Sequence, residues 1–173
     1  MAGELAATEA LLSDALGEAR RAIAGLRPAV LDDLGLSAGL HSLARSVPGV
    51  RVELDIDGCE LAPHVETAIY RIAQEALQNV QKHAAASVVR VTLRCRGSGF
   101  ELGRRDFELG RGFELTIPDD GIGFDTGAAA KSTSYGIAGI HERTLLLGAR
   151  LALRSIPGRG TIVRVVLAPY DDL

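Results

Sequence analysis

Three separated stretches of the chain carry side chains whose types and spacing suit the handling of a phosphorylated ligand. In the first, residues 70–84 read YRIAQEALQNVQKHA, and Glu75 and Asn79 are four apart. On a helix such residues stack one above the other, with Lys82 a turn further. A carboxylate, a neutral oxygen donor and a cation in that order suit a hydrated magnesium ion and the phosphates it bridges, although such a face is more often simply solvated. In the second, Asp119-Asp120-Gly121-Ile122-Gly123-Phe124-Asp125 follows an apolar run. Glycines two apart let backbone approach a flat ligand, and the carboxylate ahead of them can accept from an exocyclic amine such as that of adenine. An ordinary Asp-Gly turn is the plain alternative. In the third, Ser134-Tyr135-Gly136-Ile137-Ala138-Gly139 opens a helix that runs on through Arg143, and Gly158-Arg159-Gly160-Thr161 follows later. Free N–H groups at a glycine-led helix start favour phosphate oxygens. Neither the G-x-x-x-x-G-K-[ST] nor the G-x-G-x-x-G spacing is present, so a Walker or Rossmann cradle is excluded.

The elements that must position these residues follow from periodicity. Apolar residues at three- and four-residue steps, with Arg20, Arg21 and Arg27 late, predict an amphipathic helix over 4–26, ended by Pro28. Residues 32–37 supply a loop and a cap for a second short helix over 37–46. This helical arm of 1–46 is too one-sided to fold alone, so its stripe must meet the rest of the chain or another copy. Alternation predicts strands near 50–57, 88–95, 113–117, 149–155 and 161–167, the last two a hairpin. Helices are expected over 63–84, with Ile69, Ile72, Ala73, Ala76, Val80 and Ala84 inward, and over 137–147. The fold class is therefore α/β (α+β): a two-layer sandwich with a mixed sheet and helices on one face, preceded by the arm, with the second domain spanning 47–173. A tandem FELGR at 100–104 and 107–111, with FEL at 113–115, lengthens a hairpin and is too short for a solenoid period.

Composition narrows the function further. The 173 residues carry a net charge of −3 and 4% aromatics, without the basic field and interleaved rings of a nucleic-acid platform. Gly is frequent, at 20 residues, and two cysteines, Cys59 and Cys95, without a second pair predict neither a zinc site nor a disulfide framework. They read as small hydrophobes in a reducing compartment. No signal peptide and no run of about 18 apolar residues is present, so a soluble, cytoplasmic chain is expected.

Taken in order, QEALQNVQKHA, DDGIGFD, YGIAGIHERTLLLGA and PGRGT resemble the N, G1 and G2 boxes of the ATP-binding catalytic domain of sensor histidine kinases, within the wider family of gyrase, Hsp90 and MutL. The run LRPAVLDDLGLSAGL at 26–40 resembles the end of the dimerisation and phosphotransfer region in kinases of the nitrate/nitrite-sensor type. The fold this implies is the histidine-kinase-like ATPase (Bergerat) fold. The resemblance implies that Glu75 positions or accepts the proton of an attacking imidazole and, through water, assists a magnesium ion held by Asn79. It makes Asp119 the adenine-amine acceptor, with Gly121 and Gly123 beside the nucleotide, residues 126–135 the lid, and Gly136, Gly139 and Thr161 facing phosphates. Lys82, His83, Phe124, Tyr135 and Ile137 complete the nucleotide-binding set.

Departures from the family pattern are Ser134 and Ile137 for Gly and Leu in the second glycine box, Gly148-Ala149 for a Gly pair, and Pro118 before Asp119. None of His41, His64, His83 and His141 matches the family's phosphoacceptor motif, so a C-terminal fragment of a longer kinase is expected, one that binds Mg-ATP without autophosphorylating. The implied partners are ATP, a phosphoacceptor helix supplied from outside, a response regulator and a second copy of the chain, with no direct nucleic acid. The rival is a nucleotide-gated binding module without phosphotransfer, which would have no use for Glu75 as proton acceptor. A serine kinase acting on an anti-anti-sigma partner is disfavoured, since it leaves the LeuArgPro arm without a purpose.

Overall fold

The computed structural model describes residues 27–58, 60–96, 112–126 and 135–168. The predicted helix over 4–26, most of the FELGR repeat, most of the expected lid including Ser134, and Cys59 lie outside the described residues, as do the side chains of Arg96 and Tyr135. In chain order the elements are α1 (Ala29–Arg45), β1 (Arg51–Ile56), α2 (Pro63–Asn79) continued by a π-helical turn (Val80–Ala84), β2 (Val88–Arg96), β3 (Gly112–Pro118), α3 (Tyr135–Leu146), β4 (Arg150–Ser155) and β5 (Thr161–Leu167).

The five strands form one mixed sheet in the order β1-β2-β3-β5-β4. β1 and β2 pair parallel, as a strand–helix–strand crossover through α2 requires, and the remaining neighbours pair antiparallel. Strand alternation decides which face is covered. Val89, Val91 and Leu93 of β2, Phe113, Leu115 and Ile117 of β3, and Val163 and Val165 of β5 are buried. Registered pairs such as Leu93↔Leu115, Leu115↔Val165 and Leu151↔Val165 carry that apolar row across the sheet. The alternate positions are charged and pair with one another: Arg90 with Glu53 at 2.7 Å, Arg164 with Glu114 at 2.9 Å, and Arg94 with Asp55. One face is therefore solvated and the other receives the helices, which is the expected two-layer arrangement.

α2 is the central helix of that layer. It starts at Pro63, where a missing N–H costs nothing, and buries Ile69, Ile72, Ala73 and Ala76, with Val80 following in the π turn. Its buried Thr67 hydroxyl is satisfied by the Pro63 carbonyl at 2.8 Å. The arm departs from expectation. Residues 32–37 form no loop: α1 is helical on both sides of Gly35, which takes φ 75° and ψ 176° and kinks the helix. Only a residue without Cβ adopts that conformation cheaply. The kink turns Leu31, Leu36, Leu40 and Leu43 into the same core as α2 and the sheet.

Two residues depart from the sequence expectation. Cys95 is disulfide-bonded, and Cys59 is the chain's other cysteine. The parallel register Ile56↔Leu93 sets the ends of β1 and β2 side by side, which sequence separation conceals. The cysteine-based ground for a reducing compartment therefore falls away. Arg27, read as a late-helix cation, is instead a hub between arm and α2. Its guanidinium, 16% exposed, bonds Glu66 and the Pro63 carbonyl at 2.7 Å each, Asp32 at 2.7 Å, and the Leu31 carbonyl at 3.3 Å. Among the described residues no helix is long and apolar enough to cross a membrane.

Truncating Arg27 leaves Glu66 half-buried without its cation. Arg27→Ala should lower the unfolding free energy by about 2–3 kcal/mol, read from the urea midpoint at constant slope. A loss below about 0.5 kcal/mol, the scale of an ordinary surface change, would show that the hub holds nothing together.

Candidate functional site

A pocket of about 830 Å³ opens between the C-terminal half of α2, the loop after β3, the start of α3 and strands β4 and β5, a size suited to a nucleotide-sized ligand. Glu75 and Asn79 reach it from α2, half-buried, and Lys82 and His83 from the π turn at its exposed rim. A π turn adds a residue to the helical repeat and is common at functional sites. Across from them stands Gly136. A Cβ there would lie 2.2 Å from Glu75 Oε1 and 3.3 Å from Asn79 Nδ2. Glycine lets the start of α3 come against both polar groups.

The loop after β3 is held by backbone. The π turn ends at Ala84, whose carbonyl has no further helical donor, and Ile122 N–H fills that place at 2.7 Å. Gly121 makes the approach possible, since its Cβ would stand 2.3 Å from the same oxygen. On its other side the loop is tied to the β4–β5 turn. Gly158 N–H donates to the Ile122 carbonyl at 2.6 Å, and Asp119 N–H donates to the Thr161 carbonyl at 2.9 Å. A Cβ on Gly123, at φ 59°, would stand 2.1 Å from the Ile156 carbonyl oxygen, and one on Gly160, at φ 78°, 2.0 Å from that of Asp119.

The adjacent carboxylates divide their tasks. Asp120 accepts the Ser87 and Val88 N–H groups at 2.8 Å each and so pins the start of β2. Those bonds, Val88 first, hold its carboxyl below the usual range. Asp119 points to the pocket. Burial pushes its carboxyl up, against opposing hydrogen bonds from Gly121 N–H at 2.9 Å and from Thr161 N–H.

Of the residues expected at the site, Glu75, Asn79, Lys82, His83, Asp119, Gly123, Phe124, Gly136, Ile137, Gly139 and Thr161 line this one pocket. Gly121 does not: it is buried beneath the loop, and its lack of a side chain serves the contact with Ala84. Thr161 stands beside Asp119, bonded to it through backbone, on the same pocket wall as that carboxylate. Gly139 gives room to Arg143, whose Nη1 would lie 2.7 Å from a Cβ there. Arg143 was not anticipated as a pocket residue, although its i, i+4 relation to Gly139 was visible. Gln78, Ile122, Leu151, Leu153 and Val163 also line the pocket; the sheet pairing that gathers the apolar ones is long-range.

Among the described residues no group of three or more His, Cys, Asp or Glu converges as a metal cage. The Glu75 carboxylate faces Gly136 through Oε1 and the Asn79 amide through Nδ2; the carboxylate and the amide oxygen of this pair are donors of the kind a magnesium ion accepts when it takes most of its shell from phosphates and water.

Residues 64–171 match the family described as histidine kinase-, DNA gyrase B-, and HSP90-like ATPase. The chain is 35% identical over 158 residues to the signal transduction histidine-protein kinase/phosphatase DegS of Brevibacillus brevis, covering 88% of this chain and 37% of that protein. It is 30% identical over 169 residues to the oxygen sensor histidine kinase NreB of Staphylococcus carnosus, covering 95% and 45%. The chain thus spans less than half the length of these relatives. Among solved structures, a blue-light activated histidine kinase of Erythrobacter litoralis superposes with a TM-score of 0.59 at 20% identity, over 80% of this chain and 42% of that one.

The two aspartates should pull stability in opposite directions. A raised Asp119 favours folding below its unfolded pKa and loses that contribution as pH rises, so Asp119→Asn should raise the melting temperature at pH 7 and lose its advantage near pH 3. A depressed Asp120 contributes above its unfolded pKa, so Asp120→Asn should lower the melting temperature at pH 7 and converge with wild type in acid. Parallel shifts in both variants across that pH range would refute the division.

Proposed function

The chain belongs to the histidine kinase-, DNA gyrase B-, and HSP90-like ATPase family, and on that premise we propose that it is the catalytic portion of a sensor histidine kinase that moves the terminal phosphoryl group of ATP to a histidine outside these 173 residues, for relay to a response regulator. The observation that carries the proposal is convergence: four segments far apart in sequence, ending in Glu75 and Asn79, Asp119, Gly136 and Thr161, meet around one pocket. Relatives named as histidine kinases support the kinase part of this reading.

In this reading Asp119 accepts a hydrogen bond from the adenine amine, and the apolar side chains of Ile122, Leu151, Leu153 and Val163 take the base out of water. The start of α3, with Gly136 against Glu75 and Asn79, faces the phosphates with the N–H groups of its first turn and a positive dipole end. Lys82 and His83 supply donors at the rim. Asn79, with Glu75 through water, would hold a magnesium ion, which when bound neutralises charge on the phosphates. Glu75 also orients the incoming imidazole and takes up its proton, while the pocket keeps the terminal phosphorus in line with the attacking nitrogen. Little covalent help from the protein is needed. Residues 1–46 form the end of the dimerisation and phosphotransfer region and 47–173 the ATP-binding domain; the working protein is a homodimer in the cytoplasm, where ATP is available.

A nucleotide-gated binding module without phosphotransfer is the second reading, and Glu75 in the pocket speaks against it, since nucleotide binding alone needs no proton acceptor.

Two measurements test this. Asp119→Asn should weaken Mg-ATP binding about tenfold or more in calorimetry, the scale of a lost charged hydrogen bond; unchanged affinity removes the adenine assignment. With the upstream histidine-bearing helix joined to the chain, acid-labile phosphate should appear, and Glu75→Ala or Asn79→Ala should slow it by about 100-fold, within the usual reach of acid–base catalysis. ATP binding without any incorporation would favour the binding module.

A further inference from the structure

Ser155 closes β4 and does not line the pocket, yet its hydroxyl oxygen meets three polar atoms. Phe124 N lies 2.8 Å away, the Gly160 carbonyl oxygen 3.2 Å, and Thr161 Oγ1 2.9 Å. Phe124 N–H can only donate and the Gly160 carbonyl can only accept, and Ser155 has one proton to give. Were that proton given to Thr161, Ser155 would face the Gly160 carbonyl with lone pairs against lone pairs. Given to Gly160, it makes all three contacts hydrogen bonds, with Thr161 donating to Ser155. In a half-buried site an unmade bond is costly, so the arrangement that satisfies all three prevails. Thr161 lines the pocket, and with its proton committed it has only a lone pair for a ligand.

Its neighbour at this end of the pocket is Asp119, also an acceptor once ionised. Gly121 N–H and Thr161 N–H both bond its carboxyl, and a carboxylate, with about four lone-pair sites, keeps acceptor capacity for a ligand beside them. Two adjacent residues thus present acceptors and call for donors. An exocyclic amino group carries two N–H bonds and answers both, whereas an oxo group at the same ring position sets lone pairs against lone pairs.

Resting on the nucleotide reading above, we infer that Ser155 is a specificity-positioning residue: by holding Thr161 as a pure acceptor it makes the pocket choose 6-aminopurine over 6-oxopurine nucleotides. Calorimetry on the full chain with Mg-ATP and with the magnesium complex of inosine triphosphate reads this directly. Ser155→Ala frees the Thr161 hydroxyl to turn and donate, so the ratio of ATP to inosine triphosphate affinity should fall roughly three- to tenfold, the worth of one hydrogen bond. Ser155→Thr should restore it. Thr161→Val, which does not depend on how Ser155→Ala folds, removes an acceptor that favours the amine and opposes the oxo group, and should also narrow the ratio. Equal weakening of both nucleotides in Ser155→Ala, or a wider ratio in Thr161→Val, would overturn the inference. A wild-type chain that bound neither nucleotide would overturn the nucleotide reading and this inference with it.

Discussion

The site depends on one carbonyl. Where the π turn ends at Ala84 the helix runs out of donors, and a carbonyl left unpaired in a half-buried place is a standing cost. Ile122 N–H removes it, and the loop from Asp119 to Phe124 is fixed in consequence. From there the β4–β5 turn is tied in through Gly158 and Thr161, and Asp120 fastens the same loop to the start of β2. The pocket wall is therefore set by main chain, so the few side chains facing the ligand need not also hold the structure. Asp119 is the cost of that division: a carboxyl buried for the ligand's sake, beside one that stabilises the fold.

The glycines of the loop and the β4–β5 turn take a different meaning from this. A sequence shows that a side chain is missing at Gly121, Gly123 and Gly160, but not which neighbour needs the space. In all three the closest neighbour is protein backbone, that of Ala84, Ile156 and Asp119. Gly136 is the contrasting case, kept bare for the polar ends of Glu75 and Asn79.

Local regularities were legible and long-range ones were not. The 3.6-residue period of Ile69, Ile72, Ala73 and Ala76 gave α2 its inward face, and alternation located β5 at 161–167, because each pattern is written within a few residues. The pairing of Glu75 with Asn79 and the place of Asp119 could be read for the same reason. The helical course of α1 through Gly35 could not, since a single torsion converts an apparent loop into a kink while burial of Leu31 and Leu36 decides the outcome. The bonded state of Cys95 depends on the parallel pairing of β1 with β2, and the place of Thr161 beside Asp119 on the pairing of β3 with β5. The reach of Arg27 to Glu66 crosses from arm to domain. None of these is encoded by spacing.

The strand order has a consequence for solubility. Among the described residues β1 and β4 each leave one side of the sheet without a neighbour, and an open edge invites another chain to add a strand and propagate an aggregate. Arg51, Glu53 and Asp55 alternate along one edge, and Arg150 and Arg154 along the other, all but Glu53 well exposed. A copy seeking to extend the sheet would have to bring its own backbone past those charges and strip them of water. Among the described residues it is these charges that guard the sheet against end-to-end growth at both margins.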